Sequence, residues 1–229
     1  MKHVLAREIM TSPVFTIPPE TPFRDIAALM LERGVSGLPV VDIDGQILGI
    51  VSEADLLLKE ESPQPQPPLF GWHGASLKLE RMVNRHRKAT GATAGEIMTE
   101  NVVTAGEETT VHELAHLMLT HEINRIPIVR DGRVVGIVTR ADVLKVFSRS
   151  DEALLAAVRE AIVRDLWIDP AGLIVTCQNG VVAVKGTVDR RSDRDIIVRW
   201  IAAIDGIVRL NADFLEYRID DLALGRVVR

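Results

Sequence analysis

Cysteine, aromatic residues and long apolar runs are scarce in this sequence of 229 residues, of which 4% are aromatic. A single cysteine, Cys177, excludes an internal disulfide framework and a cysteine-rich zinc site. No run of about 18 apolar residues is present, and the first residues lack the apolar core of a signal peptide. We therefore expect no membrane-spanning helix and a cytoplasmic location.

An excess of positive charge is also missing. Lys and Arg number 27 against 32 Asp and Glu, which gives a net charge of −5. This balance argues against a nucleic-acid partner, because proteins that bind nucleic acid present clustered positive charge to the phosphates. Apolar residues make up 47% of the chain and charged residues 26%, as in ordinary globular proteins, so wholesale disorder is excluded.

An internal repeat organises the first two thirds of the chain. Glu8-Ile-Met-Thr11 in the first copy matches Glu96-Ile-Met-Thr99 in the second. The match continues through a turn and a glycine-led segment in each copy: Asp44-Gly45 and residues 49–55, then Asp131-Gly132 and residues 136–142. Two copies of about 50 residues predict a pseudo-symmetric pair in which each copy buries the apolar face of the other.

The predicted fold class is α+β. Each copy is predicted to run strand, helix, strand, strand, helix, because an Asp-Gly turn between two β-rich runs is a strong hairpin signal. A third unit from residue 151 is predicted to run helix, strand, strand, helix, strand. Its elements after the first helix are strands at 173–177 and 181–185, a helix at 192–204 and a last strand at 208–217. Trp167, Trp200 and Phe214 are expected in its core.

The repeat resembles a tandem pair of CBS domains, the Bateman module. Both copies carry the family's motif, as Gly49-Ile-Val-Ser-Glu-Ala-Asp55 and Gly136-Ile-Val-Thr-Arg-Ala-Asp142, and its apolar-Pro element, at Pro39 and Pro127. The third unit resembles a BON domain around Gly180, Gly186 and Gly206. The expected domains are a first CBS repeat at 1–60, a Pro-rich and basic linker at 61–92, a second CBS repeat at 93–149, a BON-like domain at 151–218 and a tail at 219–229.

The resemblance implies a regulatory protein rather than an enzyme. CBS pairs typically bind AMP, ADP, ATP or a related adenosyl compound such as S-adenosylmethionine in two clefts, each built from both repeats. In the family the Asp accepts hydrogen bonds from the ribose hydroxyls, and the Ser or Thr contacts phosphate. The implied residues of one cleft are Thr139, Arg140 and Asp142 with Met10, Thr11, Phe15, Val35, Ser36 and Pro39. Those of the other are Ser52 and Asp55 with Met98, Thr99, Val103, Ile123, Asn124, Arg125 and Pro127.

Three alternatives stand beside this interpretation. Ser52-x-x-Asp55 and Thr139-x-x-Asp142 also have the form of capping boxes, each of which stabilises a helix start by about 1 kcal/mol. His112-Glu-Leu-Ala-His116 matches the H-E-x-x-H motif of zinc metalloproteases, although no third ligand is evident. A scaffold that binds a membrane surface or a partner without sensing a ligand is the third.

Two kinds of macromolecular partner are expected. CBS pairs resemble one another in forming flat dimers, and the first helices of the repeats carry much apolar surface, at Ile26, Leu29, Met30, Leu114, Leu117 and Met118. We therefore expect a homodimer through the CBS pair. The BON-like domain is expected to contact an unknown protein partner, and its family resemblance keeps a membrane surface open as the alternative.

Overall fold

The computed structural model describes residues 3–58 and 91–223, so residues 61–90 of the predicted linker and 224–229 of the tail lie outside it. The helices are α1 Ala6–Ile9, α2 Phe23–Arg33, α3 Glu53–Leu57, α4 Ala94–Ile97, α5 Val111–Thr120, α6 Arg140–Lys145, α7 Asp151–Glu160 and α8 Arg191–Ala202. The strands are β1 Gly37–Val41, β2 Ile47–Ser52, β3 Arg125–Arg130, β4 Arg133–Thr139, β5 Leu173–Gln178, β6 Val181–Arg190, β7 Arg209–Asn211 and β8 Leu215–Ile219.

The chain divides into two compact units. The repeat unit comprises the described residues of Met10–Glu107 and Ile123–Val138. The C-terminal unit comprises those of Met1–Ile9, Glu108–Glu122 and Thr139–Arg229. The C-terminal unit therefore combines two helices of the second repeat, α5 and α6, with the whole of the third domain.

The repeat unit contains two strand pairs, β1–β2 and β3–β4. The predicted first strand of each repeat is reduced to one parallel bridge, Ile17 with Val40 and Ala105 with Ile128. A core of eight buried residues surrounds the first pair: Ile17, Ile26, Met30, Leu38, Val40, Val51, Ala94 and Ile97. The apolar face of α2 is thus used inside the chain, and the same holds for Leu114 and Met118 of α5, which are buried.

The C-terminal unit contains a four-stranded sheet in which β6 is central. β5 pairs with β6 antiparallel, whereas β7 and β8 both pair with β6 in parallel. The predicted last strand is two short strands, because the Asn211 side chain accepts the N–H of Asp213 at 3.1 Å and turns the chain. Helices α7 and α8 supply Val158, Ile197 and Ile201 to the core of this sheet, and Ile162 joins them from the π-helical turn Ala161–Asp165 that follows α7.

The aromatic residues of the C-terminal unit do not all enter its core. Trp167 is 88% exposed and Phe214 is 64% exposed, so their predicted core positions are wrong. Trp200 is partly buried, and its indole N–H donates to Asp165 at 3.2 Å. Within residues 3–58 and 91–223, no helix is both long and apolar enough to cross a membrane.

Candidate functional site

The Ile-Met-Thr motif of each repeat forms backbone hydrogen bonds with the other repeat, at the strand that contains Gly49 or Gly136. Thr99 exchanges both backbone hydrogen bonds with Ile50 of β2, at 2.9 and 3.0 Å. Thr11 does the same with Ile137 of β4, at 2.9 and 3.1 Å. The preceding methionine covers the glycine in each case, because a Cβ on Gly49 would collide with the Met98 side chain. A Cβ on Gly136 would likewise collide with Met10. The backbone hydrogen bonds and the Met–Gly contacts therefore both show the predicted pseudo-symmetry.

The Ser52–Asp55 segment joins β2 to α3. Oδ2 of Asp55 accepts the backbone N–H and the hydroxyl of Ser52, both at 2.8 Å. The Glu53 N–H donates to the carbonyl of Ser36 at 3.2 Å, which places Ser36 beside the start of α3. The carboxyl group of Asp55 is buried, with 6% of the residue exposed.

Arg125 of β3 also lies near the start of α3, close to Glu53 and Asp55. Its guanidinium lies against Gly37, where a Cβ would collide with Nη1. Nη1 is buried and has no hydrogen-bond partner among the described residues. Burial lowers the pKa of Arg125, while the nearby carboxylates of Glu53 and Asp55 oppose that shift. The guanidinium nonetheless keeps its charge, because arginine is not deprotonated in proteins.

The predicted Ser52–Asp55 cleft is thus partly assembled within the repeat unit. Ser52 and Asp55 lie with Arg125, Met98 and Thr99 through the contacts above, and also with Ser36, which was predicted for the other cleft. Pro127 is buried in β3, and its carbonyl accepts the Ala105 N–H at 3.1 Å. Val103 and Ile123 are half-buried, and Asn124 is exposed just before β3. Membership of these four residues in the site stays a prediction.

The Thr139–Asp142 segment joins β4 to α6 and repeats the arrangement. Oδ2 of Asp142 accepts the N–H of Thr139 at 2.9 Å and its hydroxyl at 2.6 Å. The other oxygen, Oδ1, accepts from Nζ of Lys145 at 2.7 Å. Burial raises the pKa of Asp142, but the hydrogen bonds from Lys145 and Thr139 outweigh it and lower the pKa overall. Lys145 is a neighbour that the sequence analysis missed, although its i,i+3 spacing from Asp142 was a usable signal.

The residues expected to complete this second cleft lie in the repeat unit. Met10 and Thr11 contact β4 as described, and the Arg33 guanidinium lies 4.6 Å from the ring centroid of the exposed Phe15. Val35 is half-buried, and Pro39 is buried in β1, where its carbonyl accepts the Ile17 N–H at 3.0 Å. Arg140 is exposed at the start of α6. The grouping of these residues with Asp142 in one cleft stays a prediction.

The H-E-x-x-H segment lies on α5. Oε2 of Glu113 accepts the N–H and the hydroxyl of Thr110, both at 2.8 Å, which makes Glu113 part of a capping box. These hydrogen bonds lower the pKa of Glu113. His112 and His116 are exposed, and across residues 3–58 and 91–223 no three His, Cys, Asp or Glu side chains are arranged to hold a metal ion. The geometry therefore favours the helix-capping role for Glu113.

Comparison with known proteins gives the same two families. The CBS domain model matches residues 6–61 and 94–149, and the BON domain model matches residues 150–218. The chloroplastic CBS domain-containing protein CBSX2 of Arabidopsis thaliana is 30% identical over 137 residues, which is 56% of each chain. A CBS domain-containing protein of Dictyostelium discoideum is 32% identical over 143 residues, covering 62% of this chain and 89% of that one.

A solved structure is similar in fold to part of the chain. The crystal structure of CBSX2 in complex with AMP has a TM-score of 0.54 and 28% identity, and the match covers 62% of this chain and 94% of that one.

Proposed function

The chain belongs to the CBS-domain family, with two CBS domains followed by a BON domain, and on this basis we propose that it is a regulatory protein that binds an adenosine-containing ligand. The candidate ligands are AMP, ADP, ATP and S-adenosylmethionine. AMP is the ligand in the similar CBSX2 structure. We further propose that the chain has no catalytic activity of its own and that it is cytoplasmic.

The observation that carries this proposal is the burial of two carboxylates. Among the described residues, the buried charged side chains are Asp55 and Asp142, at equivalent positions of the two repeats. Capping alone does not require this burial, because Glu96 and Glu113 close the same kind of capping box and are themselves exposed. Burying a charge is costly unless it has partners. Two buried carboxylates therefore favour a role in binding beside their role as caps.

The chemistry of the site suits a nucleotide. A carboxylate only accepts hydrogen bonds, and the vicinal ribose hydroxyls are two donors on one edge. Arg125 provides a buried guanidinium nitrogen without a partner in the part of the chain described, next to Ser52 and Asp55. A guanidinium pairs well with phosphate oxygens. We therefore expect the Ser52–Asp55 site to bind a phosphate-bearing ligand more tightly than the Thr139–Asp142 site does.

Calorimetry on the full chain, freed of endogenous nucleotide, tests the function. Asp55→Asn and Asp142→Asn are each expected to weaken AMP binding at their own site by about 1.5–3 kcal/mol, the contribution of hydrogen bonds to a charged group. Glu113→Gln is the matched control, because it alters an exposed cap and should leave affinity unchanged. Absence of binding by all four candidate ligands would refute the proposal. Lower melting temperatures with unchanged affinity would leave the two Asp residues as caps.

The BON domain is proposed to act as the interaction module of the protein. Trp167 and Phe214 are large aromatic side chains exposed on this domain, and Lys185 lies 5.3 Å from the Phe214 ring centroid. Exposed aromatic residues are enriched where proteins meet partners. We favour a protein, rather than a membrane surface, as the partner that these exposed aromatic side chains contact. Co-sedimentation of the full chain with lipid vesicles would instead support the membrane-surface alternative.

A further inference from the structure

The turn between α8 and β7 joins the BON domain to the end of the second CBS repeat. Gly206 in this turn has a φ of 95°, and a Cβ there would lie 2.8 Å from the carbonyl oxygen of Val146. Nη1 of Arg149 donates to the carbonyl of Asp205 at 2.9 Å. The Asp205–Gly206 turn therefore packs closely on the residues that follow α6.

The N-terminal segment is held by the same turn. The N–H of Val4 donates to Oδ2 of Asp205 at 2.7 Å, and Nδ1 of His3 lies 3.7 Å from the same oxygen. On its other side, the segment bonds to the start of α5, where the Val111 N–H donates to the Val4 carbonyl at 3.0 Å. Asp205 thus contacts two parts of the chain that belong to the CBS region. We call these contacts of Asp205 and Gly206 the latch.

Helix α6 connects the Asp142 site to the latch. The helix begins at the Thr139–Asp142 capping box, and its last residue, Lys145, pairs with Asp142. The Lys145 carbonyl accepts the Ser148 hydroxyl at 2.6 Å, and Val146 then meets Gly206. A ligand hydroxyl that replaces Nζ of Lys145 at Oδ1 of Asp142 frees the side chain of the residue directly before the latch.

We propose that the latch is the output contact of the Thr139–Asp142 site, and that ligand bound to Asp142 releases Lys145 and loosens the hold of Asp205–Gly206 on the CBS region. This inference rests on the proposed function and adds a route from that site to the BON domain. A ligand can drive the change only if it binds the loosened state more tightly. By reciprocity, a chain whose latch is broken must then bind the ligand more tightly than the wild type.

Hydrogen exchange of the full chain, with and without saturating AMP, measures the latch directly. In the wild type, AMP should increase exchange in peptides covering residues 3–9 and 205–210. The increase should persist in Asp55→Asn and disappear in Asp142→Asn. In Asp205→Ala, residues 3–9 should exchange faster than in the wild type even when no ligand is present. This variant should also bind AMP about five-fold or more tightly at the Asp142 site, the lower end of usual coupling.

Asp213→Ala removes an exposed carboxylate from the same domain and should behave as the wild type. Gly206→Ala is the second latch variant and should share the tighter binding of Asp205→Ala. Wild-type chain that binds AMP without any change in exchange at residues 3–9 and 205–210 overturns the latch alone, as does unchanged affinity in both latch variants. Wild-type chain that binds none of the candidate ligands overturns the proposed function and this coupling with it.

Discussion

At the scale of single residues, the repeats are held together by two methionine–glycine contacts. We expect Gly49→Ala and Gly136→Ala each to destabilise the chain, because the new methyl group would occupy the space of Met98 or Met10. Inserting a methyl group into a filled space costs about 1–3 kcal/mol. Denaturant unfolding followed by circular dichroism measures this change as a lower midpoint at unchanged slope.

A double-mutant cycle is the control for this contact. Met98→Ala removes the side chain that Gly49→Ala would strike, so the double variant should lose less stability than the sum of the two single variants. Gly136→Ala combined with Met98→Ala should instead be additive, because Gly136 contacts Met10. If the effects of Gly49→Ala and Met98→Ala were additive, the contact between Gly49 and Met98 would contribute nothing to the free energy of unfolding.

The sequence located the motif residues but not their surroundings. Ser52, Asp55, Thr139 and Asp142 were predictable because the motif occurs twice in register with the rest of the repeat. The packing of Arg125 on Gly37 was not predictable, because these aligned positions meet only once the two repeats are paired. Trp167 and Phe214 were placed in the core wrongly, since a large apolar side chain is permitted on the surface even though buried residues are mostly apolar.

At the scale of elements, Asp151 ties the start of α7 to the β5–β6 hairpin. Its carboxylate accepts the N–H groups of Gly180 and Asn179, both at 2.8 Å, and lies 3.2 Å from Sγ of Cys177. The Gly180 hydrogen bond, followed by those of Cys177 and Asn179, lowers the pKa of Asp151. Burial and the carboxylate of Asp151 raise the pKa of the half-buried Cys177.

The lowered pKa predicts an acid-sensitive contribution to stability. The carboxylate of Asp151 stabilises the fold at pH values above its unfolded pKa, about 3.9. This contribution is lost as the pH falls through the lower folded pKa. Asp151→Asn should therefore melt at a lower temperature than the wild type at pH 7, and the difference should shrink below pH 4. Asp213→Asn is the control of equal charge change, and a difference that is constant with pH would contradict the prediction.

Most elements were predictable because their turn and cap residues are explicit. Asp44-Gly45 marked the β1–β2 hairpin correctly. Asn179-Gly180 at the β5–β6 turn and Thr110-x-x-Glu113 at the start of α5 are signals of the same explicit kind. The last strand was predicted as one because residues 208–217 are rich in apolar and aromatic side chains. The Asx turn at Asn211 that divides it depends on a side-chain hydrogen bond, which competes locally with strand pairing.

At the scale of the whole molecule, most of the apolar surface first expected to form the homodimer is used inside the chain, and Leu29 and Leu117 of that surface are half-buried. Ile26, Met30, Leu114 and Met118 are buried within the chain and are not available to a partner. Exposed leucines remain at two pairs of equivalent positions in the repeats: Leu31 and Leu119, then Leu57 and Leu144. Their exposed fractions run from 65% to 85%, which favours contact with a second copy of the chain over solvent.

We predict that the wild-type chain has twice the mass of one chain at micromolar concentration in light scattering. Leu119→Glu with Leu144→Glu, on the adjoining helices α5 and α6, should reduce that mass to one chain, because two buried and unpaired charges oppose association. Ile43→Glu is the control, since this fully exposed side chain lies at the tip of the β1–β2 hairpin and should leave the dimer intact. A wild-type chain of single mass would contradict the dimer. Dissociation by Ile43→Glu would place the interface at the β1–β2 hairpin rather than at the leucines.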